Sequence, residues 1–148
     1  MNPLRVHMPA IVAHEGTWDG IYRHVAADGT LLDEHRTWTR CEFPDRGDAH
    51  YIQHNRLAWA DGRTAEYRFP GAWRDGFLRW DTERFHGIGW ETEGGVLMLR
   101  LERHDAPGAY YIEMIILVPD GETRARTWQW FKDGKPWKRT LRDEWRIG

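Results

Sequence analysis

The chain has 148 residues, with 21 Lys and Arg against 23 Asp and Glu and a single cysteine, Cys41. That length buries enough apolar surface to build a core without metals or cross-links, and one thiol excludes an intrachain disulfide framework and fits a reducing compartment. A net charge of -2 with scattered basic residues offers no footprint for nucleic acid, and no apolar run reaches the ~20 residues of a membrane-crossing helix, so a cytoplasmic protein without either partner is expected.

Residues 1–14 contain a short apolar piece interrupted by Pro9 and lack the pattern of a secretory leader. They read as an irregular or briefly helical lead-in that covers one end of a β domain spanning 15–148. From Glu15 onward, β-branched and aromatic residues alternate with charged ones at a period of two. Turn signals punctuate the alternation at Asp28-Gly29, 44–48, Asp61-Gly62, Pro70-Gly71, Asp75-Gly76, Gly94-Gly95, Pro107-Gly108, Asp120-Gly121 and Asp133-Gly134. They delimit strands at 16–26, 31–43, 50–60, 63–69, 77–81, 84–92, 96–103, 109–118, 122–132 and 136–146. Connections this short dictate a meander. Closing it removes both unpaired edges, so the expected architecture is all-β: a single up-and-down antiparallel barrel of nine or ten strands, favoured over a two-sheet sandwich.

Side-chain parity predicts which residues face inward. On the first strand Trp18, Gly20, Tyr22 and His24 share a face. A two-residue turn at Asp28-Gly29 would pair Ala27 with Thr30 and set Tyr22 opposite His35, Gly20 opposite Thr37 and Trp18 opposite Thr39. This register points His35, Thr37, Thr39 and Cys41 inward and the neighbouring charges to water, whereas a shift by one would bury those charges. The third strand then turns Tyr51, Gln53, Asn55, Leu57 and Trp59 inward. Such an interior is too polar for a plain core: its amides and imidazoles must satisfy one another, hold water or face a ligand. On the eighth strand both faces are apolar apart from Glu113, which suggests cover on both sides, by the N-terminal segment or by a second copy in a homodimer. Glu113 in that setting calls for a raised pKa or a cationic partner, and Arg124 and Arg126 share parity with Trp128 and Trp130.

Gly16-Thr17-Trp18-Asp19-Gly20, at the start of an all-β chain, resembles the Gly-x-Trp signature of lipocalin-like (calycin) barrels, and its Gly-x-Trp-x-Gly form resembles the nitrobindin-like members. The stretch 124–131 is similar to the closing strands of bacterial lipocalin-like proteins. The resemblance implies that Trp18 plugs the closed end beneath a late-strand cation, here Arg126, Arg139 or Arg142, and that the barrel is a cup for a small, largely apolar molecule. Most nitrobindin-like relatives hold haem through a histidine close to the C-terminus. The last histidine here is His104, so that ligand has no counterpart.

His50 and His54, on one face but about 13 Å apart along a strand, are too distant to share a metal, and no Cys/His group has zinc spacing; neither a metal site nor a cofactor is expected. His7, His14, His86 and His104 read as surface or turn residues. The expected site is a pocket lined by Tyr22, Gln53, Asn55, Glu113 and Arg126 together with His24 and His35, the two side chains placed to move a proton. It would take a small, flat or aromatic, partly polar molecule. Two functions fit this lining: a binder whose polar groups orient the ligand, and a cofactor-independent acid–base enzyme of the lyase or isomerase class. Haem binding ranks third.

Overall fold

Alternating aromatic and charged side chains give ten antiparallel strands in the computed structural model, which describes residues 1–148. They are β1 (Gly16–Ala26), β2 (Leu31–Glu42), β3 (Tyr51–Ala58), β4 (Thr64–Arg74), β5 (Phe77–Asp81), β6 (Phe85–Glu91), β7 (Leu97–Arg103), β8 (Ala109–Leu117), β9 (Thr123–Lys132) and β10 (Lys135–Arg146). Each strand pairs with the next and β1 closes on β10, forming an up-and-down barrel with no free edge.

One expected turn is instead part of a strand. Pro70 and Gly71 continue β4, opposite Ile52 and Tyr51, and the reversal comes at Asp75-Gly76. Proline is tolerated because β4 pairs with β5 only from Gly71 to Arg74, so the missing amide hydrogen costs no ladder bond on that side. Gly71 makes room for an indole: a Cβ there would sit 2.9 Å from Trp80 Nε1, and one at Gly89 would sit 3.1 Å from the far edge of the same ring. Trp80 thereby lies flat across two strands on the inner wall.

The Asp-Gly pairs do not all make the same turn. At Asp75-Gly76 both residues have positive φ, 52° and 82°, the two-residue geometry that matches strand twist. At Asp28-Gly29 only the glycine does. Ala26 N–H donates to Thr30 O at 2.8 Å and Gly29 N–H to Ala26 O at 2.9 Å, closing a three-residue loop where a two-residue turn was expected. Such a loop moves the register by one, and a bulge moves it back: Val25 pairs with Leu31 but His24 with Asp33, leaving Leu32 unpaired. Tyr22 therefore still faces His35, Gly20 faces Thr37 and Trp18 faces Thr39.

Two four-residue helices, α1 (Leu4–His7) and α2 (Pro9–Val12), precede the barrel, and Leu4, Met8 and Ile11 are buried in its core. This segment does not cover the outer face of β8. Ile112, Met114, Ile116 and Val118 stay 37–39% exposed, so the proposed cover from the N-terminus is absent, while Tyr111, Glu113 and Ile115 are buried on the inner side.

Candidate functional site

The closed end forms around Trp18, which is fully buried and whose Nε1–H donates to the His14 carbonyl at 2.9 Å. The cations over its ring are Arg124 at 4.5 Å and Arg146 at 4.4 Å, in place of the expected Arg126, Arg139 or Arg142. Register decides this. Trp18 is directly opposite Arg146, whereas Arg142 is opposite Tyr22 and stacks on that ring at 4.6 Å; Arg139 is exposed and Arg126 pairs with Glu113. His14, expected at the surface, is buried beside Arg124 (3.2 Å). Burial first, then the nearby Arg124 and Arg126, lower its pKa to about 3, so it is neutral.

Above this end lies a polar band. Arg124 forms a two-pronged pair with Glu144 at 2.9 and 3.0 Å, and Arg142 approaches the same carboxylate at 3.0 Å. Burial would raise the Glu144 pKa, but Arg124 and Arg142 outweigh it and hold the carboxyl at about 2. Arg142 also donates to Tyr22 Oη at 2.8 Å and to Thr39. Thr39 Oγ1 and Gln53 Nε2 donate to Asn55 Oδ1 at 2.8 and 3.1 Å, Tyr51 donates to Gln53 Oε1 at 2.8 Å, and Arg126 donates to Glu113. Arg126 is the cationic partner that Glu113 required. Most buried polar groups therefore satisfy one another, as a low-dielectric interior demands.

Between this band and the open end is a cavity of about 230 Å³. All seven sequence-predicted residues border it: Tyr22, His24, His35, Gln53, Asn55, Glu113 and Arg126. Trp59, Trp80, Trp128, Trp130, Tyr111 and Phe85 supply flat walls. Tyr22 stacks on His35 with centroids 4.7 Å apart, and Trp59 meets the other side of this cluster, 4.5 Å from His35. Burial, with Lys138 and His35 adding, lowers the His24 pKa to about 4, and burial also lowers that of His35, so both imidazoles are neutral near pH 7. The Tyr22 hydroxyl is pushed up by burial despite Arg142 beside it and remains protonated.

Several buried polar atoms of residues that line this cavity lack a hydrogen-bond partner: both ring nitrogens of His35, Glu113 Oε1 and Trp128 Nε1. Asn55 is half-used, since both its internal bonds go to Oδ1 and its Nδ2 donors are uncommitted. Asp33, absent from the expected lining although it shares parity with His35, stands at the cavity mouth, and Arg84 and Arg103 also border the cavity. Arg142, expected as a cover for Trp18, instead belongs to the inward-facing alternation Thr140, Arg142, Glu144.

No protein-family model matches the sequence, and no curated protein matches it. Among solved structures, the barrel is similar to the S-type phycobiliprotein lyase of Guillardia theta, with a TM-score of 0.74 at 14% identity over 93% of this chain and 90% of that one. It is also similar to a protein of unknown function of the DUF3598 family from Nostoc punctiforme, with a TM-score of 0.68 at 17% identity over 93% of this chain and 49% of that one, so the chain spans about half the length of that protein. At such identities the likeness is one of fold alone.

Proposed function

We propose that the chain binds a small, flat, aromatic and partly polar molecule inside the barrel. The observation that carries this reading is the set of unpaired buried atoms around one cavity. Trp128 Nε1 offers a donor, Glu113 Oε1 an acceptor, and His35 either role. A dry core with these groups would lose about 1–3 kcal/mol for each one left unpaired, whereas a ligand carrying both a hydroxyl or amine and a carbonyl would satisfy them. The walls suit a ring system. A cavity of about 150 Å³ holds benzene, so 230 Å³ suits one or two fused rings.

Tryptophan fluorescence provides the test: titration with a panel of mono- and bicyclic phenols, indoles and aromatic carboxylates should give saturable quenching. His35→Ala and Asn55→Ala should each weaken the best binder by ~1–2 kcal/mol, the scale of one hydrogen bond. Quenching that is non-saturable, or indifferent to both substitutions, would refute the pocket.

A second reading is an acid–base enzyme, and one observation favours it: His35 is neutral, unpaired at both nitrogens and stacked on a protonated Tyr22. The similar barrel from Guillardia theta bears the name of a lyase. If the same two substitutions abolish a turnover while leaving affinity nearly intact, the enzyme reading replaces the carrier. Haem ranks below both; micromolar binding with a Soret band lost in His24→Ala or His35→Ala would reverse that order.

A further inference from the structure

We infer that His24, Asp33 and His35 form a binding site for a divalent transition-metal ion at the mouth of the cavity. No metal set is visible in the sequence because no ligands fall at metal-binding spacing along the chain. The barrel assembles this set across strands instead. His24 on β1 is directly opposite Asp33 on β2, and His35, two residues further on, shares the inward face. The Leu32 bulge brings about this pairing; without it the three-residue loop would place His24 opposite Leu32. Each residue brings one ligand atom to within 4.8 Å of the other two.

The ligand types and their surroundings fit such an ion. Two imidazoles and a carboxylate with coordination positions left open are a familiar donor set for zinc and for other first-row divalent ions. The His35 side chain is 3% exposed, neither of its nitrogens is hydrogen-bonded, and Nδ1 lies 3.4 Å from Asp33 Oδ2 without hydrogen-bond alignment. A buried imidazole with two idle nitrogens beside a carboxylate is an arrangement that an ion completes. The outer shell is present as well. Trp59 Nε1 donates to both Asp33 oxygens at 3.2 and 3.1 Å. His24 Nδ1 lies 2.9 Å from Thr140 Oγ1, which also accepts from Trp130 Nε1 at 2.8 Å, so a proton on Nδ1 leaves the His24 Nε2 lone pair for the ion.

Bonds of 2.0–2.1 Å in a tetrahedral site set ligand atoms about 3.4 Å apart. The half-exposed Asp33 carboxylate can swing to close the remaining distance, while the buried His35 stays as anchor. The three residues border the cavity, so a bound ion would present its open positions toward the proposed organic ligand.

The test uses the whole chain, freed of metal by chelator and titrated with Co²⁺ and Zn²⁺ in the absence of any organic ligand. The expected result is one equivalent bound with micromolar or tighter affinity and cobalt d–d bands of the intensity typical of four- or five-coordination. Asp33→Asn and His24→Ala, each shown folded by far-UV circular dichroism, should weaken binding at least tenfold. The exposed pair His86 and His104, 3.3 Å apart, serves as control, and His86→Ala should leave the titration unchanged. Absence of cobalt bands at high micromolar metal would overturn the site, as would affinity that tracks His86 but not Asp33. Aromatic binding measured both with chelator and with the ion restored separates the two ideas: aromatic binding without any metal binding rejects this site alone, and metal binding without aromatic binding in either state rejects the pocket alone.

Discussion

Glu113 and Arg126 show what a single buried charge demands. Each is almost fully enclosed, and their hydrogen bond is the main compensation for taking two ions out of water. Glu113→Gln leaves the Arg126 guanidinium without its counter-charge, and the expected loss is about 3–5 kcal/mol in denaturant unfolding. Glu113→Gln combined with Arg126→Met should recover most of that loss, because replacing both partners removes the unpaired ion. A double variant no more stable than the single one would mean that Arg126 acts through its shape. Trp18 tests the opposite limit, packing rather than charge. Trp18→Ala empties the closed end beneath Arg124 and Arg146 and should cost about 3–5 kcal/mol; a thermal melt that barely moved would contradict the plugging role.

At the scale of elements, the β1–β2 hairpin decides the site. Its three-residue loop and its bulge each shift the register by one in opposite senses, so the inward set is the same as for a tight turn with no bulge. Leu32, the extra residue, is exposed. Deleting Leu32 should therefore leave the pairs from His24–Asp33 to Gly16–Cys41 in place and yield a folded barrel with a native near-UV spectrum. Because bulges sharpen local twist and re-aim side chains, the same deletion should weaken cobalt binding. A chain that fails to fold without Leu32 would show that the bulge, and not the pairing beyond it, holds the hairpin. The outer face of β8, with Ile112, Met114 and Ile116 partly exposed, shows that the N-terminal segment does not supply the second cover that an apolar alternation on both sides of a strand suggested.

For the whole molecule, buried groups of lowered pKa set the response to acid, most strongly at the closed end. Glu144 has its pKa lowered to about 2 and His14 to about 3, against ordinary values of 4.5 and 6.5. In both cases the unfolded chain binds protons that the folded chain refuses, so stability is complete above the unfolded pKa and falls as pH drops toward the folded one. The expected curve is flat near neutrality, declines below about 6.5 as the contributions of His14, His24 and His35 fade, and steepens below about 4.5 as that of Glu144 follows. Urea midpoints measured across pH 7 to 3 at constant ionic strength check this, and His14→Gln should make the upper part of the decline shallower without removing it, since His24 and His35 remain. A midpoint that rises on acidification would contradict the assignment of both groups.

The sequence by itself determined the strands, their order and the inward face, because period-two alternation and short turns leave a closed meander as the arrangement that buries one face and frees no edge. It also determined that Tyr22, His24, His35, Gln53, Asn55, Glu113 and Arg126 share that interior, since parity survives small errors in turn length when a bulge compensates. Pro70-Gly71 was misread because glycine and proline mark tight reversals and close packing alike, and only the position of the Trp80 ring distinguishes them. Tertiary structure alone decided which arginine meets which partner. Strand pairing sets Arg146 opposite Trp18 and Arg142 opposite Tyr22, an offset that spacing along one strand does not encode. It also decided that His14 is buried, because the last residues before β1 fold under Arg124. The same is true of the grouping of His24 with Asp33 and His35, which are neighbours through a hairpin whose loop and bulge no single-strand pattern reveals.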